Sequence, residues 1–451
     1  MGAAACSLSL SFARGITLDG GASIRAGSVR LAAPAVRIGR HATVSASGLG
    51  RCSAVLDPLY WTKGEAGAGA GHGGAGGRCE SPVAAGGRPF GDGTRPWARL
   101  ASPGTPWWPS VESDLTLYGA YSFADDTNGP ICCGGGVIRV NTTSLHVDGM
   151  LSADGQPACR ACRHERRLPA LQPAPDKPCC PAPPANGRCI GLGGASGGTV
   201  LVDAAVINGS GLISARGADA DAVSQRGGGG GGGRMWLRGC ATGADGAPAT
   251  EARLRFDASG GAAATDGDPA RAPKCQAGGA GSIFFEECDG RPHMLWFNNG
   301  QNADSSADSS IAAFPPVPAA APPPASRSIG LLHVQSAVLK LGSDNTAVAM
   351  LTTADVKLTD NAQLLLQRGT LLHARALTIA SGSEVARRFA PRRGRPPIAE
   401  RPLPLRRATS SLSLKASDFH PVQISCEDAD SDCTYDPVSY THLRAHETDS
   451  Y

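Results

Sequence analysis

One twenty-residue pattern occurs twice along the chain at the same length. GVIRVNTTSLHVDGMLSADG fills 136–155, and GTVLVDAAVINGSGLISARG fills 198–217. Both begin with glycine and a β-rich stretch, pass through a polar step, and end in a second apolar stretch and Ser-Ala-x-Gly. Looser copies are VRLAAPAVRIGRHATVSASG at 29–48 and GRMWLRGCA at 233–241, which continues as ARLRFDASG at 252–260. Repetition at this period predicts supersecondary units that need their neighbours to bury an apolar face.

The apolar residues of these copies alternate with polar ones, which is the pattern of half-buried β-strands. Runs of glycine precede the strands, and glycine suits corners because it allows positive φ and close backbone approach. The expected fold is therefore all-β, a parallel β-helix-like solenoid with glycine-rich corners and long loop insertions. For the run 227–233 taken alone, a flexible linker is an alternative. The predicted strands lie at about 137–140, 145–147, 200–202, 212–214, 235–237 and 254–256.

The same alternation predicts which side chains form the core. In ARLRF, at 252–256, Leu254 and Phe256 should point inward, and Arg253 and Arg255 outward. Val200 and Val202 should point inward in the same way.

Changes in composition divide the chain into segments. Glycine is abundant in the repeats and becomes scarcer where Leu, Val and Thr increase. The predicted segments are a glycine-rich β-solenoid (16–300, with an insert at 156–190), a Pro/Ala-rich linker (301–328), a second β-solenoid segment (329–385), an Arg/Pro-rich segment expected to be disordered (386–437), and a tail (438–451) that resembles a translated sequencing adapter.

The net charge of +3 comes from one segment of the chain. Residues 386–407 hold eight Arg and one Glu, a net +7, which leaves the rest of the chain near −4. A weakly acidic scaffold argues against a nucleic-acid partner. No run reaches the roughly 18–20 apolar residues of a membrane span, so none is expected in this sequence.

Fifteen cysteines without a catalytic arrangement favour an oxidising compartment and disulfides. Because the number is odd, at least one cysteine lacks an intramolecular partner, and Cys6 is the candidate. The pair Cys159-x2-Cys162, with His164 beside it, could instead ligate zinc, but a second such pair is missing and no metal site is predicted. A low-complexity insertion with unpaired cysteines is the remaining alternative for this insert. The disulfide candidates are Cys159, Cys162, Cys179, Cys180, Cys189, Cys426 and Cys433.

Two sequons agree with secretion and make Asn141 and Asn208 the glycosylation candidates. The apolar stretch at 3–12 is not preceded by a basic region, so it is not a firm signal peptide, and we expect the natural start to lie upstream. The expected location is extracellular or at the cell surface.

Signatures of the β-helical polygalacturonases occur only as fragments. Gly71-His72-Gly73, Asp125-Asp126 and Asn141-Thr142 are similar to their GHG, DD and NTD motifs, which supply paired carboxylates across the glycosidic bond. The order differs here, and the basic substrate-holding motif has no good match. His72 is therefore expected to be a solvent-exposed loop residue, and no catalytic residue, metal or cofactor is predicted.

The order of the motifs CGGGVIRV, DGMLSADG, GGASGGTV, GSGLISARG and GGGGGGRMWL resembles that of large glycine-rich cell-surface proteins of plants, algae and other protists. Those proteins are regarded as pectin-lyase-like and have no established activity. The resemblance covers about 16–300, and 329–385 more loosely, and implies the fold and a surface location. The expected function is an extracellular structural or adhesive module, with polysaccharide or other cell-surface components as candidate partners. The alternative is a carbohydrate-active lyase or hydrolase of the pectin-lyase-like class.

Overall fold

The computed structural model of the protein describes residues 7–50, 69, 71–80, 83–84, 134–156, 161–162, 189–190, 193–220, 227–240, 254–263, 275–286, 294–300, 309–310, 329–341, 350–366, 371–380, 382–387, 404–407, 412–415 and 422–425. The regular structure of these residues is entirely β. The described part of the chain therefore contains no helix that is long and apolar enough to cross a membrane.

In chain order the strands are β1 (Ser7–Ser11), β2 (Ile16–Leu18), β3 (Ser23–Arg25), β4 (Ser28–Ile38), β5 (Thr43–Ser45), β6 (Cys79–Glu80), β7 (Val83–Ala84), β8 (Val137–Val147), β9 (Met150–Ser152), β10 (Ala161–Cys162), β11 (Cys189–Ile190), β12 (Thr199–Asn208), β13 (Leu212–Ser214), β14 (Arg234–Cys240), β15 (Arg255–Asp257), β16 (Ser282–Glu286), β17 (Met294–Asn298), β18 (Ser309–Ser310), β19 (Ile329–Gln335), β20 (Val338–Leu341), β21 (Met350–Thr359), β22 (Gln363–Leu366), β23 (Leu371–Ile379), β24 (Glu384–Arg387), β25 (Pro404–Arg407), β26 (Leu412–Lys415) and β27 (Val422–Ser425).

A mostly parallel sheet of 13 strands, the large sheet, runs through the described chain. Its order is β1-β4-β8-β12-β14-β16-β17-β19-β21-β23-β26, with β2 beside β4 and β27 beside β23. Two smaller sheets each have five strands. The first small sheet has the order β15-β13-β9-β5-β3, and the second small sheet has the order β18-β20-β22-β24-β25. The all-β class and the predominance of parallel pairing are thus as predicted.

The predicted strands coincide with observed ones. The predicted pair 137–140 and 145–147 is one continuous strand, β8, and β12 likewise extends the prediction for 200–202 to Asn208. The strand β17, at MLWFN, lies in a region where the sequence shows no repeat pattern. Three short strands, β25 to β27, lie in the Arg/Pro-rich segment for which the sequence predicts disorder.

The first hydrophobic core lies between the large sheet and the first small sheet. One row of this core crosses five neighbouring strands in register and consists of Val29, Ile138, Val200, Met235 and Ile283. All five side chains are buried. The small sheet contributes apolar side chains at every second position, as expected from the two-residue period of a strand.

The alternation predicted for ARLRF agrees with this core. Leu254 is buried, Phe256 is partly buried against the core, and Arg255 is exposed. Val200 and Val202 are fully buried. Arg253 lies outside the described residues.

The hydrophobic core changes faces of the large sheet where β16 meets β17, an antiparallel pair that lies between two parallel blocks. On β16, Ile283 belongs to the first core, whereas its neighbour Phe284 belongs to a second. Phe284 is in register with Leu295 of β17, and that row continues through Leu332 and Val356. Successive residues of a strand point to opposite faces, so the second core lies on the opposite face, against the second small sheet.

Glycine-rich segments form a third layer that lacks ladder pairing. We call it the glycine bundle; it consists of residues 71–77, 193–198, 215–218, 227–233, 258–261 and 275–281. The run 227–233 is buried, and its backbone groups bond to neighbouring segments with a period of three.

Residues that are three apart in the run 227–233 bond to the same neighbouring segment, so the run contacts three segments in turn. Gly194 and Gly197 donate to the carbonyls of Gly228 and Gly231, at 2.9 and 3.0 Å. Gly229 and Gly232 donate to Gln276 and Gly279, at 3.1 and 2.9 Å. Gly230 and Gly233 donate to Ala218 and Ala215, at 2.9 and 2.7 Å. Three residues per turn is the repeat of the polyproline II conformation, which has no internal hydrogen bonds and must find partners elsewhere.

The glycine runs are therefore not the positive-φ corners that the sequence suggested. Among the described residues the glycines with positive φ are Gly20, Gly21, Gly48, Gly209, Gly239, Gly300 and Gly382, all outside the bundle. Close backbone approach, the other predicted use of glycine, is what the bundle requires. A Cβ on Gly229 would lie 1.9 Å from the carbonyl oxygen of Gly261.

Candidate functional site

His72 is buried inside the glycine bundle, with 3 % of its surface exposed, so the expected exposed position is wrong. Its Nδ1 lies 2.7 Å from the carbonyl oxygen of Gly197, to which it donates. Burial, together with the positive charge of Arg234, lowers the pKa of His72 to about 3. The imidazole is thus neutral at physiological pH and joins two glycine segments that are 125 residues apart in sequence.

Asp154 is the centre of a cluster of hydrogen-bonded polar groups, the first polar cluster, at the end of the first small sheet. Its carboxylate accepts hydrogen bonds from Ser152 Oγ at 2.7 Å, from the Arg216 backbone N–H at 2.6 Å, and from Ser214 Oγ. Its own N–H donates to Ser47 Oγ at 3.0 Å. The donors come from β9, from β13 and from the residue pair that follows β13, so the carboxylate links these two neighbouring strands. The Asp154 N–H adds a bond to Ser47, which follows β5.

Burial raises the pKa of the Asp154 carboxyl above its ordinary value. Hydrogen bonds from Ser214, Ser152 and Arg216 oppose the shift, and the charge of Asp257 adds to it. Asp257 itself accepts from Ser259 Oγ at 2.6 Å and from the Ser259 N–H at 2.9 Å. Both carboxylates are therefore engaged by serine hydroxyls, an arrangement that suits structural linkage better than acid–base exchange with a substrate.

A second polar cluster occupies the turns that follow β8 and β12. His146 Nε2 lies 2.8 Å from Asp148 Oδ2, and His146 Nδ1 lies 2.7 Å from Asn208 Oδ1. Asp148 Oδ1 also accepts from Ser210 Oγ, at 2.9 Å. The bond to His146 is the main reason that the pKa of Asp148 is lowered. Although a His, an Asp and a Ser meet here, the serine donates to the aspartate and not to the histidine, so its oxygen is not activated as a nucleophile.

An open groove of about 410 Å³ lies on the outer face of the large sheet. It is lined by Ser11 and Phe12 at the end of β1, by 32–34 of β4, and by 141–143 of β8. The groove exists because β1 and β2 both pair with β4 and leave a gap between Ser11 and Ile16. Phe12 is the large hydrophobic residue exposed among the described residues, at 52 %.

The predicted site residues fall in different environments. Asn141 is exposed in the groove, whereas Asn208 is partly buried and bonded to His146. Thr142 is buried and its hydroxyl donates to the carbonyls of Pro34 and Ser144. Asp125 and Asp126 lie outside the described residues. The polygalacturonase-like fragments that are described, at His72 and Asn141, are thus a buried structural histidine and an exposed strand residue.

Two of the disulfide candidates lie on neighbouring strands. Cys162 of β10 and Cys189 of β11 are register partners in a two-stranded antiparallel ladder. Cys159, Cys179, Cys180, Cys426 and Cys433 lie outside the described residues. Cys275, which the sequence did not single out, is disulfide-bonded. Within the described ranges, no group of three or more His, Cys, Asp or Glu side chains is placed to hold a metal ion.

Asn299 is a structural residue that sequence reasoning missed. It is fully buried, its Oδ1 accepts from the Gly260 N–H at 2.7 Å, and its Nδ2 donates to the Gly278 carbonyl at 2.9 Å. The sequence gives only a weak signal, an Asn-Asn-Gly at 298–300 after an apolar strand, which indicates a turn and not a bridge.

Comparison with protein-family models, curated proteins and solved structures finds no match for this chain.

Proposed function

We propose that this protein is an extracellular structural or adhesive module, built as a parallel β-helix-like solenoid, that binds polysaccharide through its outer face. The observation that supports a scaffold role is that the polar side chains of the protein form hydrogen bonds between neighbouring segments. His72, Asp154, Asp148 and Asn299 each bond to a strand or glycine segment other than their own. Such groups hold neighbouring segments in register and leave little capacity for chemistry.

The chain path favours the solenoid. A long strand, a short turn, a short strand and a glycine segment follow one another in β8–β9 and in β12–β13. β14 and β15 repeat the long strand, the short strand and the glycine segment, with residues 241–254 between the two strands. The three copies pair in parallel through both the large sheet and the first small sheet. Stacked copies that each contact only their neighbours are the defining feature of solenoid proteins.

The same proposal includes the surface location, the similarity to pectin-lyase-like glycine-rich proteins, and a disulfide framework. The bonded Cys275 and the register pairing of Cys162 with Cys189 favour disulfides. Disulfides are typical of secreted proteins, and scaffolds with little apolar area for each residue benefit from them most.

The proposal is tested by two measurements on one preparation. A glycan array gives the polysaccharides that the protein retains, and a reducing-end assay on pectins detects cleavage. We expect retention without turnover. Turnover that disappears in the Asp125→Asn/Asp126→Asn variant would instead establish the lyase or hydrolase alternative.

A further inference from the structure

The N-terminal strands carry an unbalanced positive charge. Residues 7–50 contain five arginines and a single acidic residue, Asp19. All five arginines are exposed. This end of the described chain therefore differs from the weakly acidic scaffold expected for most of the sequence.

Three of the arginines lie on the elements that border the groove defined above. Arg30 and Arg37 both lie on β4, on either side of the groove-lining residues 32–34. Each lies between two buried core residues, so each points to the outer face of the large sheet. Arg14 lies in the connection between β1 and β2 that borders the groove. In the described part of the chain, Arg14, Arg30 and Arg37 form no ion pair, unlike Arg238 and Arg375, which are paired with Asp203 and Asp355.

The spacing of the two β4 arginines fits an extended ligand. They are seven residues apart, which at about 3.3 Å per residue is at most about 23 Å. The floor between them is formed by small residues of β4, and its sides by the exposed ring of Phe12 and by polar Ser11, Asn141 and Thr143. An aromatic face with hydroxyl and amide groups beside it suits the alternating apolar and hydroxyl surfaces of a sugar ring.

We propose that the groove binds an acidic polysaccharide, with the ring of Phe12 against a sugar face and with Arg30 and Arg37 pairing with carboxylate or sulfate groups at either end. This inference rests on the proposed function and specifies its ligand class and site. Arginine is suited to the role because its planar guanidinium binds such anions with two parallel hydrogen bonds.

The test is a binding titration of the full chain against polygalacturonate (carboxylated), dextran sulfate (sulfated) and dextran (neutral). The Arg30→Ser/Arg37→Ser variant removes the flanking charges, and Phe12→Ala removes the ring. The matched control is Arg238→Ser/Arg375→Ser, which removes the same charge from paired arginines elsewhere. We expect the Arg30→Ser/Arg37→Ser variant to weaken binding of an acidic polymer about tenfold, and the control variant to leave that binding unchanged. Dextran should bind no more than weakly, and added salt should reduce the affinity for the acidic polymers. Circular dichroism should show that all variants fold, since the altered side chains are exposed.

Preference for the carboxylated or the sulfated polymer would support the proposal and identify the anionic group. Equal binding of dextran, or undiminished binding by the Arg30→Ser/Arg37→Ser variant, would overturn the groove assignment and leave the polysaccharide-binding scaffold standing. Failure to bind any of the three polymers, together with an empty glycan array, would remove the binding part of the proposed function as well. An N-glycan found on Asn141 by intact mass and peptide mapping would also overturn the inference, because that glycan would fill the groove.

Discussion

Individual glycines are required for the packing of this fold, because in the bundle the backbone of one segment occupies the space where another segment's side chain would lie. The carbonyl oxygen of Ala258 lies 1.9 Å from the Cβ position of Gly232, as close as that of Gly261 to Gly229. Both of these obstacles are backbone atoms, so a side chain cannot be accommodated by a change of rotamer. The sequence run GGGGGGG at 227–233 is therefore required by packing and not by flexibility.

Substitution of Gly229 by Ala should destabilise the protein by about 1–3 kcal/mol or more, as expected for overpacking against backbone. Gly15→Ala is the matched control, because the nearest atom to its Cβ is the Ala35 carbonyl oxygen at 3.2 Å. Urea unfolding of the two variants gives the comparison. Equal midpoints would contradict the bundle.

Buried His72 should make stability fall on acidification. Its pKa is about 3 in the folded protein against an ordinary value of 6.5, so below pH 6.5 the unfolded chain takes up a proton that the folded chain does not. The free energy of unfolding should then decrease by up to about 1.4 kcal/mol per pH unit between pH 6.5 and 3. His333, whose pKa burial and Lys357 lower to about 4, contributes in the same direction. The raised pKa of Asp154 acts oppositely, because the folded protein takes up that proton first as the pH falls.

The measurement is the unfolding free energy of the wild type and of His72→Gln from pH 8 to pH 4. The variant should show a shallower slope below pH 6.5 and the same slope above pH 7, where the imidazole is neutral in both states. An unchanged slope below pH 6.5 would place His72 in solvent.

At the level of elements, the strands could be predicted because the information is local. Alternation within VIRV, TVLV and ARLRF determines which residues face the core, and the buried positions of Val200, Val202 and Leu254 agree. The glycine bundle could not be predicted in this way, since its bonds join segments as distant as Gly74 and Gly232. Glycine has no side chain whose period could reveal those partners.

Contacts between residues that are distant in sequence also explain why the surroundings of the polar side chains could not be predicted. The environments of His72 and Asp154 depend on Gly197 and Ser214, which are distant in sequence and unremarkable by themselves. The groove depends on a gap between β1 and β2 that appears only when both strands pair with β4. The motif Gly71-His72-Gly73 is thus visible in sequence, but its burial is not.

The face assignment of β15 gives a direct comparison within one strand. Phe256 packs against the core and meets Phe285 edge-to-face, with ring centroids 5.2 Å apart, whereas Arg255 is exposed. Phe256→Ala should cost about 3 kcal/mol, near the low end for a large aromatic because the ring is only partly buried. Arg255→Ala should change stability by less than about 0.5 kcal/mol. Equal melting temperatures for the two variants would show that the assignment of the buried and exposed faces of β15 is wrong.

At the scale of the whole molecule, the described chain has two hydrophobic cores on opposite faces of one sheet. The change occurs at the antiparallel pair β16–β17, where Ile283 and Phe284 are both buried. A long parallel sheet normally needs cover on both faces, and here each half receives its main cover from a different small sheet. The division at 301–328 predicted from composition remains a prediction.

Disulfides should contribute to the stability of the whole protein in the proposed extracellular location. Closing a loop of about 15 residues is worth roughly 3 kcal/mol in the chain-entropy model. Thiol titration under denaturing conditions should find most of the fifteen cysteines oxidised in protein from the native host. Ten or more free thiols would contradict the proposed extracellular location and reopen zinc binding at Cys159 and Cys162.

Hydrogen exchange can show whether the described chain forms a parallel scaffold with a hydrogen-bonded glycine layer. The amides of Gly229, Gly230, Gly232 and Gly233 donate to neighbouring backbone segments, so they should exchange as slowly as those of β12. Gly229→Ala should accelerate exchange in 228–233 and in the partner segment 258–261, while Gly15→Ala should not. Exchange of 228–233 at the rate of an unstructured linker in the wild type would show that the glycine bundle does not form.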